Sequence, residues 1–447
     1  MFLKRPMALN DVNDYASVCR YIESSACLGS RPGLARIQAL CGIMGDPQDD
    51  LSFIHIAGTN GKGSTAAMIA SALTGAHIRV GMYYSPALCG IKDHYAIDGE
   101  IISNDDYAVA VGCVAAANEI LRKNTGEGAT QFELETAVAL SYFQKKNCDV
   151  VVLETGMGGA EDATNVVKNK ICCVITSISY DHMQYLGNTL ADIAKAKAGI
   201  ITSDCPVIAL DASPEATEVI RQQCSMTGSR LYTVDPQKIS MVHDHPTGEI
   251  INFEEFKDIR VALSGTFQAE NAGVALRTLE VISRGGLIPG CRFDGDDLYS
   301  GLAKVRWPYR FEMICDDPTV IVDGAHNADA AAKLRATLED RFAGYRIILV
   351  IGMFRDKEYE KVAAELAGLA YRTITVSTPD NPRALPAKDL AAVAGHFCEN
   401  VTACETIEEA YELAVQACKG LDKSMVIACG SLSYLAIFRE CNDKWKE

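Results

Sequence analysis

The residues IHIAGTNGKGSTAAMIASALTGA (54–76) pass from a short apolar run, through a glycine-rich turn, into a segment of helix-forming residues. Strand, loop and helix in that order are the setting in which a glycine-rich loop cradles phosphate. Gly58, Gly61 and Gly63 let the backbone turn sharply and aim N–H groups inward. The first turn of the helix adds a partial positive charge. Lys62 offers a full charge to β- and γ-phosphates, and the Ser64 hydroxyl can donate to phosphate oxygen. The competing reading is a strand-to-helix turn that carries an incidental lysine.

Outward from this loop, short Val- and Ile-rich runs alternate with helix-patterned stretches. SFIHIAG (52–58), CDVVVLETG (148–156), KICCVITSIS (170–179) and CPVIAL (205–210) are apolar on both faces. Such runs predict a mostly parallel sheet covered by helices on both sides. Ligands of such sheets sit beyond the carboxyl ends of the strands. The rhythm restarts after about residue 310 with TVIVDGAHN (319–327), YRIILVIGM (345–353), RTITVSTP (372–379) and SMVIACGS (424–431). AAAKLRATLEDRF (330–342), YEKVAAELAGLA (359–370) and IEEAYELAVQAC (407–418) read as amphipathic helices between them. The fold class expected is therefore α/β in two units. The boundary is expected in the Gly- and Asp-rich stretch 289–310, where Pro308 interrupts any helix.

At 447 residues the chain is too long for one ordinary core. Hydrophobic residues at 48% and charged residues at 22% fit a globular enzyme. A net charge of -16 argues against nucleic acid or an anionic membrane as the main partner. The opening residues lack the long apolar core of a signal peptide, and no run approaches the ~18–20 apolar residues of a membrane span. The 17 cysteines include no C-x-x-C pair and read as reduced core residues. A cytoplasmic location and a monomeric state are the expectations.

Three further signals fall at strand or helix ends. Glu154 closes the run VVVLE, and a carboxylate buried there needs a charge partner or a cation such as Mg²⁺; capping of the GMGG turn is the alternative. His182, beside Asp181, follows VITSIS on the same rim, as a metal ligand or as an ordinary loop histidine. Lys197 sits in the apolar segment IAKAKAGII (193–201), where a buried ammonium is costly; a surface lysine is the alternative.

Taken together these segments resemble the dihydrofolate synthase/folylpolyglutamate synthase family of the Mur-ligase superfamily. The resemblance runs through RPGLARIQALCGIMGDP (31–47), GTNGKGS, YYSPAL (83–88), DGEIIS (98–103) and TQFELET (130–136). It continues through ETGMGG and EDATN (154–165), SYDHMQYLGNTLADIAKAKAGII (179–201), GTFQAENA (265–272), WPYR (307–310), DGAHN (323–327), IGMFRDKEY (351–359) and ACGSL (428–432). It implies a P-loop NTPase-like Mur-ligase central domain over 1–298 and a smaller Rossmann-like C-terminal domain over 299–447. It also implies an enzyme that activates a carboxylate as an acyl phosphate with ATP and joins it to L-glutamate. The implied acceptor is dihydropteroate, a folate, or both.

The same resemblance implies residue roles. Thr59, Asn60, Gly61, Lys62, Gly63 and Ser64 would hold the ATP phosphates. Asn271, Arg310, Asp323 and His326 would contact ATP, with the second domain closing over the first. Ser85, Glu154 and His182 fall where the family ligates Mg²⁺, and Lys197 matches a carbamylated lysine that binds a second Mg²⁺. Thr130, Gln131, Phe132 and Glu133, with Asp162 and Ala163, would line the pterin or folate pocket. Lys62, Glu154, His182 and Lys197 are the catalytic set.

The chain departs from the family pattern at Ala87, at Asp93-His94-Tyr95, at Ala160-Glu161, at Ala196 and at Phe267. These positions cluster around the expected acceptor site rather than the phosphate loop. A Mur-type ligase acting on a non-folate carboxylate therefore stays open; against a cell-wall peptide ligase, only 57 residues precede Gly58, thin for the extra substrate domain of those enzymes. A non-catalytic nucleotide-binding paralogue and a plain P-loop ATPase or kinase are the readings from other classes. Retention of Lys62, Glu154, His182 and Lys197 argues against the paralogue, and an ATPase or kinase does not explain DGAHN or Lys197.

Overall fold

The central strand of the first sheet is β1 (Phe53–Ala57), buried along its whole length. It leads through the glycine turn into helix α3, which starts at Lys62. The description that follows is of a computed structural model and covers residues 14–88, 90–245, 248–289, 291, 296–379 and 381–446. The reading of the first thirteen residues, and part of the expected 289–310 boundary, lie outside the described residues.

Ahead of β1 lie α1 (Tyr15–Ser24) and α2 (Ala35–Ile43). After it come α3 (Lys62–Gly75), β2 (Val80–Tyr83), β3 (Tyr95–Ile97), β4 (Glu100–Ile101), α4 (Asn104–Thr125), α5 (Gln131–Lys145), β5 (Val150–Glu154) and β6 (Lys170–Ile175). Then follow α6 (Met183–Leu186), α7 (Leu190–Ala198), β7 (Val207–Leu210), α8 (Pro214–Thr227) and β8 (Leu231–Val234). The eight strands form one sheet in the order β4-β3-β2-β5-β1-β6-β7-β8. From β2 to β8 neighbours are parallel; β3 and β4 add an antiparallel edge. The four apolar runs expected as strands are β1, β5, β6 and β7. The antiparallel edge was not legible, because β3 and β4 are too short to show a period.

Strand alternation puts residues 53, 55 and 57 of β1 on one face. Phe53 belongs to a core built with α1, α2, α4 and α5, around Ile22, Leu40, Val111, Leu134 and Leu153. Ala57 belongs to a second core with α7 and α8, around Ile175, Ile200, Val207 and Ile220. His55 lies between the two. The order of strands reverses beside β1, which pairs with β5 on one side and β6 on the other. That switch point leaves a crevice at the carboxyl ends of β1, β5 and β6.

A three-stranded sheet follows, ordered β11-β10-β9, from β9 (Ile239–His245), β10 (Gly248–Phe253) and β11 (Phe256–Val261). It precedes α9 (Gln268–Arg284) and α10 (Asp296–Leu302). The chain divides into two compact units: residues 1–239, 253–259 and 270–305, and residues 240–252, 260–269 and 306–447. In the second unit, β12 (Glu312–Cys315), β13 (Thr319–Val322), α11 (Ala328–Arg341), β14 (Arg346–Ile351), α12 (Tyr359–Ala367), β15 (Ala370–Thr375), α13 (Ala387–Ala394), β16 (Val401–Ala403), α14 (Ile407–Cys418), β17 (Ser424–Cys429) and α15 (Leu432–Lys446) succeed one another. Its six-stranded sheet has the order β12-β13-β17-β14-β15-β16, with β12 antiparallel at the edge and the others parallel. Its core collects Ile321, Leu334, Leu349, Val362, Leu390 and Ile427. No described helix is long and apolar enough to cross a membrane.

Candidate active site

The parallel register explains the first contact of the site. Ile56 of β1 is aligned with Glu154 of β5, so Glu154 emerges beside the start of the glycine loop. Lys62, the first residue of α3, turns back, and its Nζ lies 3.7 Å from Glu154 Oε1. The same Nζ donates to the Thr59 carbonyl at 3.3 Å. Glu154 is buried, and the nearby ammonium supplies the countercharge that burial demands.

Two glycines of the loop are required by close approach. A β-carbon on Gly58 would collide with Thr176 Oγ1, and one on Gly61 would collide with Asn271 Oδ1. Gly61 also has φ 83°, the left-handed region. Asn271, on α9, is thus placed against the phosphate loop. The segment after β6 braces the loop from the other side. Thr59 N donates to the Ser177 carbonyl at 2.7 Å, and Thr59 Oγ1 to the Ser179 carbonyl at 3.0 Å. Thr176 Oγ1 and Ser177 Oγ donate to the Asn60 carbonyl at 2.8 Å and 3.2 Å. Sequence reading passed over these hydroxyls; the run TSIS directly after an apolar strand was the available signal. Ser64 is buried in the first turn of α3, whose backbone ladder opens with Thr65 N donating to the Gly61 carbonyl.

Lys197 sits one residue before the end of α7 and is 4% exposed. Its Nζ donates to the Gly58 carbonyl at 2.7 Å. Burial pushes its pKa down to about 7; the Lys62 charge adds to the effect, while Asp181 and Asp162 oppose it. A large fraction is therefore a neutral amine near pH 7. The turn 156–162 holds the end of α7 in place: Ala160 N donates to the Ala196 carbonyl at 2.9 Å, and a β-carbon on Gly199 would strike Ala160. Ala160 and Ala196, two departures from the family pattern, thus meet in one contact.

His182 caps α6 from the left-handed region, φ 51°, and is more exposed than the other members. Its Nε2 lies 3.8 Å from Asp181 Oδ2. Ser85 follows β2 on the same rim. Among the described residues, no group of three or more His, Cys, Asp or Glu side chains stands ready for a metal. Glu154 and Ser85 offer oxygen atoms of the kind Mg²⁺ prefers, since that ion binds through one or two protein oxygens plus waters and substrate phosphates.

Thr130 and Glu133 form a capping box at the start of α5: Glu133 Oε2 accepts from Thr130 N at 2.7 Å, and Thr130 Oγ1 from Glu133 N at 3.3 Å. Arg36 Nε also donates to Glu133 Oε2, at 3.1 Å. Phe132 packs where a side chain on Gly156 would be, with its ring centre 6.3 Å from that of Tyr83. Gln131 Nε2 donates to Glu135 Oε1 at 2.7 Å, and Glu135 Oε2 lies 3.9 Å from His94 Nε2. His94 and Glu135 are both buried, and burial raises the Glu135 carboxyl above its ordinary range, with His94 and Gln131 offsetting part of the rise. His94 was noticed only as a departure; its partner Glu135 was not singled out. Asp162 accepts from Met157 N at 2.7 Å and from Thr164 N at 3.0 Å, with Ala163 buried beside it.

The remaining nucleotide-site candidates lie in the second unit and form their own cluster. Asp323 follows β13, is buried, and accepts from Phe311 N and Ala325 N, each at 2.8 Å. Burial raises its pKa, and Arg310 and the two amides oppose the rise. Tyr309 and Phe311, on either side of Arg310, both have left-handed φ, 58° and 49°. His326 Nδ1 lies 3.1 Å from the Gly324 carbonyl, which fixes that nitrogen as the donor.

A parallel sheet with a glycine loop at its switch point, followed by a second α/β unit, is the layout of an ATP-using ligase of the Mur type. Residues 56–279 match the Mur ligase middle domain, and 309–432 match the Mur ligase glutamate ligase domain. The chain belongs to the dihydrofolate synthase/folylpolyglutamate synthase family of these ligases. It is 36% identical to the dihydrofolate synthase/folylpolyglutamate synthase of Bacillus subtilis over 382 residues, 84% of this chain and 88% of that one. The structure of Mycobacterium tuberculosis folylpolyglutamate synthase complexed with ADP and AMPPCP matches with a TM-score of 0.87 at 30% identity, covering 96% and 99% of the two chains. Escherichia coli FolC in complex with DHPP and ADP matches with a TM-score of 0.84 at 27% identity, covering 98% and 99%.

Proposed function

We infer that this chain is an ATP-dependent, ADP-forming ligase that joins L-glutamate to dihydropteroate, a folate, or both. The observation that carries the reading is the convergence of Lys62, Glu154 and the buried Lys197, whose pKa burial pushes down to about 7, on one glycine loop. That arrangement suits phosphoryl transfer, where positioning and charge neutralisation supply most of the catalysis.

ATP lies with its triphosphate along Thr59 to Ser64, held by loop N–H groups and Lys62. Asn271, Arg310, Asp323 and His326 contribute further ATP contacts. The acceptor carboxylate, in a pocket lined by Thr130, Gln131, Phe132, Glu133, Asp162 and Ala163, attacks the γ-phosphorus. The bond from phosphorus to the bridging oxygen breaks, and ADP leaves with the electron pair. The glutamate amine then attacks the acyl carbon; phosphate departs with the C–O electron pair and the amine gives up a proton. Lys62 neutralises charge on the transferred group, and water must be excluded or the acyl phosphate hydrolyses.

Glu154, His182, Ser85 and a carbamylated Lys197 would hold Mg²⁺, which supplies charge neutralisation at the phosphoryl oxygens. The carbamate forms when the neutral amine adds to carbon dioxide and loses a proton. The depressed pKa of Lys197 supports that modification by keeping the nucleophilic form populated. We place the division between an ATP-binding domain and a C-terminal domain near residues 298 and 299. The protein is proposed to be a monomer and, with its sixteen described cysteines all free, cytoplasmic.

Phosphate release should depend on glutamate and on a pteroate or folate together. A Lys62→Ala variant that kept full ligase activity would refute the phosphate-loop role. A panel of carboxylate acceptors separates dihydropteroate, folate monoglutamate and non-folate acids. This last class is worth including because His94 and Glu135 form a buried pair beside Gln131.

A further inference from the structure

His55 is a polar ring at the middle of a fully buried strand, with no exposed surface. It is paired across the sheet with Leu153 and Cys173, so apolar strands flank it on both sides. Such a group needs a hydrogen-bond partner. Its Nε2 finds one, Thr164 Oγ1 at 2.9 Å, while Nδ1 has none. Thr164 Oγ1 lies in turn 2.5 Å from Asp162 Oδ1. The three side chains form a buried line from the centre of the sheet to the turn that follows Glu154.

The hydrogen bonds along this line run in one direction, from His55 to Asp162. Asp162 accepts backbone N–H groups on both oxygens, from Thr164 at Oδ1 and from Met157 at Oδ2. Those amides favour the carboxylate form and oppose the rise that burial causes. A carboxylate only accepts, so the single hydroxyl proton of Thr164 points to Asp162. The Thr164 oxygen then accepts from His55, whose Nε2 must carry hydrogen. His55 has one proton to place, because burial and the Lys170 charge push its pKa well below the ordinary value. Nδ1 is therefore bare, in agreement with its lack of a partner.

We propose that His55 is a positioning residue for the acceptor substrate: through the Thr164 hydroxyl it fixes the Asp162 carboxylate in direction and as a hydrogen-bond acceptor, so that Asp162 selects a ligand presenting N–H or O–H donors. The inference rests on the reading of Asp162 as part of the acceptor pocket. Without the His55 donor, the Thr164 hydroxyl is free to turn away, and Asp162 loses a fixed donor in a buried setting. Binding of the acceptor weakens, while ATP binding and turnover at saturating acceptor change little.

The experiment combines a spectroscopic readout with kinetics. Long-range proton–nitrogen spectra of protein labelled with ¹⁵N-histidine report the tautomer of His55, assigned by the signal missing from H55Q. The expected pattern is a protonated Nε2 and a bare Nδ1, unchanged between about pH 5.5 and 8. H55Q, whose amide nitrogen can reach the Nε2 position, should keep the acceptor KM within about twofold. H55L and T164V should each raise it about tenfold, the size expected for one lost buried hydrogen bond, with the ATP KM unmoved. T164V, nearly isosteric, carries the test if H55L does not fold. A protonated Nδ1, or an unchanged acceptor KM in T164V while D162N raises it, overturns the relay and leaves the acceptor pocket standing. An unchanged acceptor KM in D162N overturns the acceptor reading, and the inference with it.

Discussion

The guanidinium of Arg310 packs into the space left by the absent side chain of Gly324, and a β-carbon there would collide with its Nη1. The backbone is tied at the same point, since Gly324 N donates to the Tyr309 carbonyl at 2.9 Å. Left-handed backbone at Tyr309 and Phe311, unusual for bulky residues, is held by this packing. Arg310 is thereby presented beside Asp323.

Gly324→Ala is expected to force Arg310 out of this position. Overpacking costs about 1–3 kcal/mol in stability, measurable by urea denaturation. On the proposed role of Arg310 as an ATP contact, turnover with saturating ATP should fall by more than about tenfold once the guanidinium is misplaced. Initial rates of glutamate-dependent phosphate release provide the check. Wild-type turnover in a folded variant would remove Arg310 from the phosphoryl-transfer machinery.

At Gly61 two costs add. An alanine there must adopt φ 83° and displace Asn271. The conformational part alone is about 1–2 kcal/mol, and the ATP KM should rise. Replacing Asn271 by Ala as well removes the collision but not the conformational cost. The double variant should be less destabilised than the sum of the single ones, and a double-mutant cycle measures that coupling. Strict additivity would mean the two residues do not touch.

Lys197 gives a pH signature. Its folded pKa is about 7 against an unfolded value near 10.5. Between these values the unfolded chain binds the extra proton, so this residue makes stability rise with pH through that window. Below about pH 7 the buried ammonium is fully penalised; above about 10.5 the penalty is gone. Lys197→Met should therefore raise Tm more at pH 6 than at pH 9, in buffers free of bicarbonate. A pH-independent difference would mean that the ammonium is not desolvated.

Glu135 gives the opposite sign. Its folded pKa is raised, so the native state binds the extra proton just above 4.5, and its contribution falls as pH climbs from there through the folded pKa. His94 faces it, and Tyr83, Tyr95 and Tyr107 share its buried surroundings. Glu135→Gln should gain stability over the parent at pH 8 relative to pH 5. Thermal melts at the two values decide it: an equal difference at both would show that His94 compensates the carboxylate throughout.

The residues forming the glycine loop were legible because they are contiguous: strand, glycines, lysine and helix lie within 54–76, and local chemistry specifies them. The parallel strands were legible as well, since apolar runs buried on both faces carry their own signature. Less visible were the short antiparallel strands Tyr95–Ile97 and Glu100–Ile101, which have too few residues for a period.

What the chain order could not reveal were pairings set by long-range register. Lys62 meets Glu154 because Ile56 and Glu154 are aligned in neighbouring parallel strands. His94 meets Glu135, and His55 reaches Asp162 through Thr164, across residues far apart in sequence. The amino-acid sequence by itself determined the α/β class, the family and the strand–glycine loop–helix unit, all of which follow from local pattern. Only the tertiary structure decided which buried polar groups share a proton or a charge, because that depends on distance and burial once the helices have packed onto the sheet.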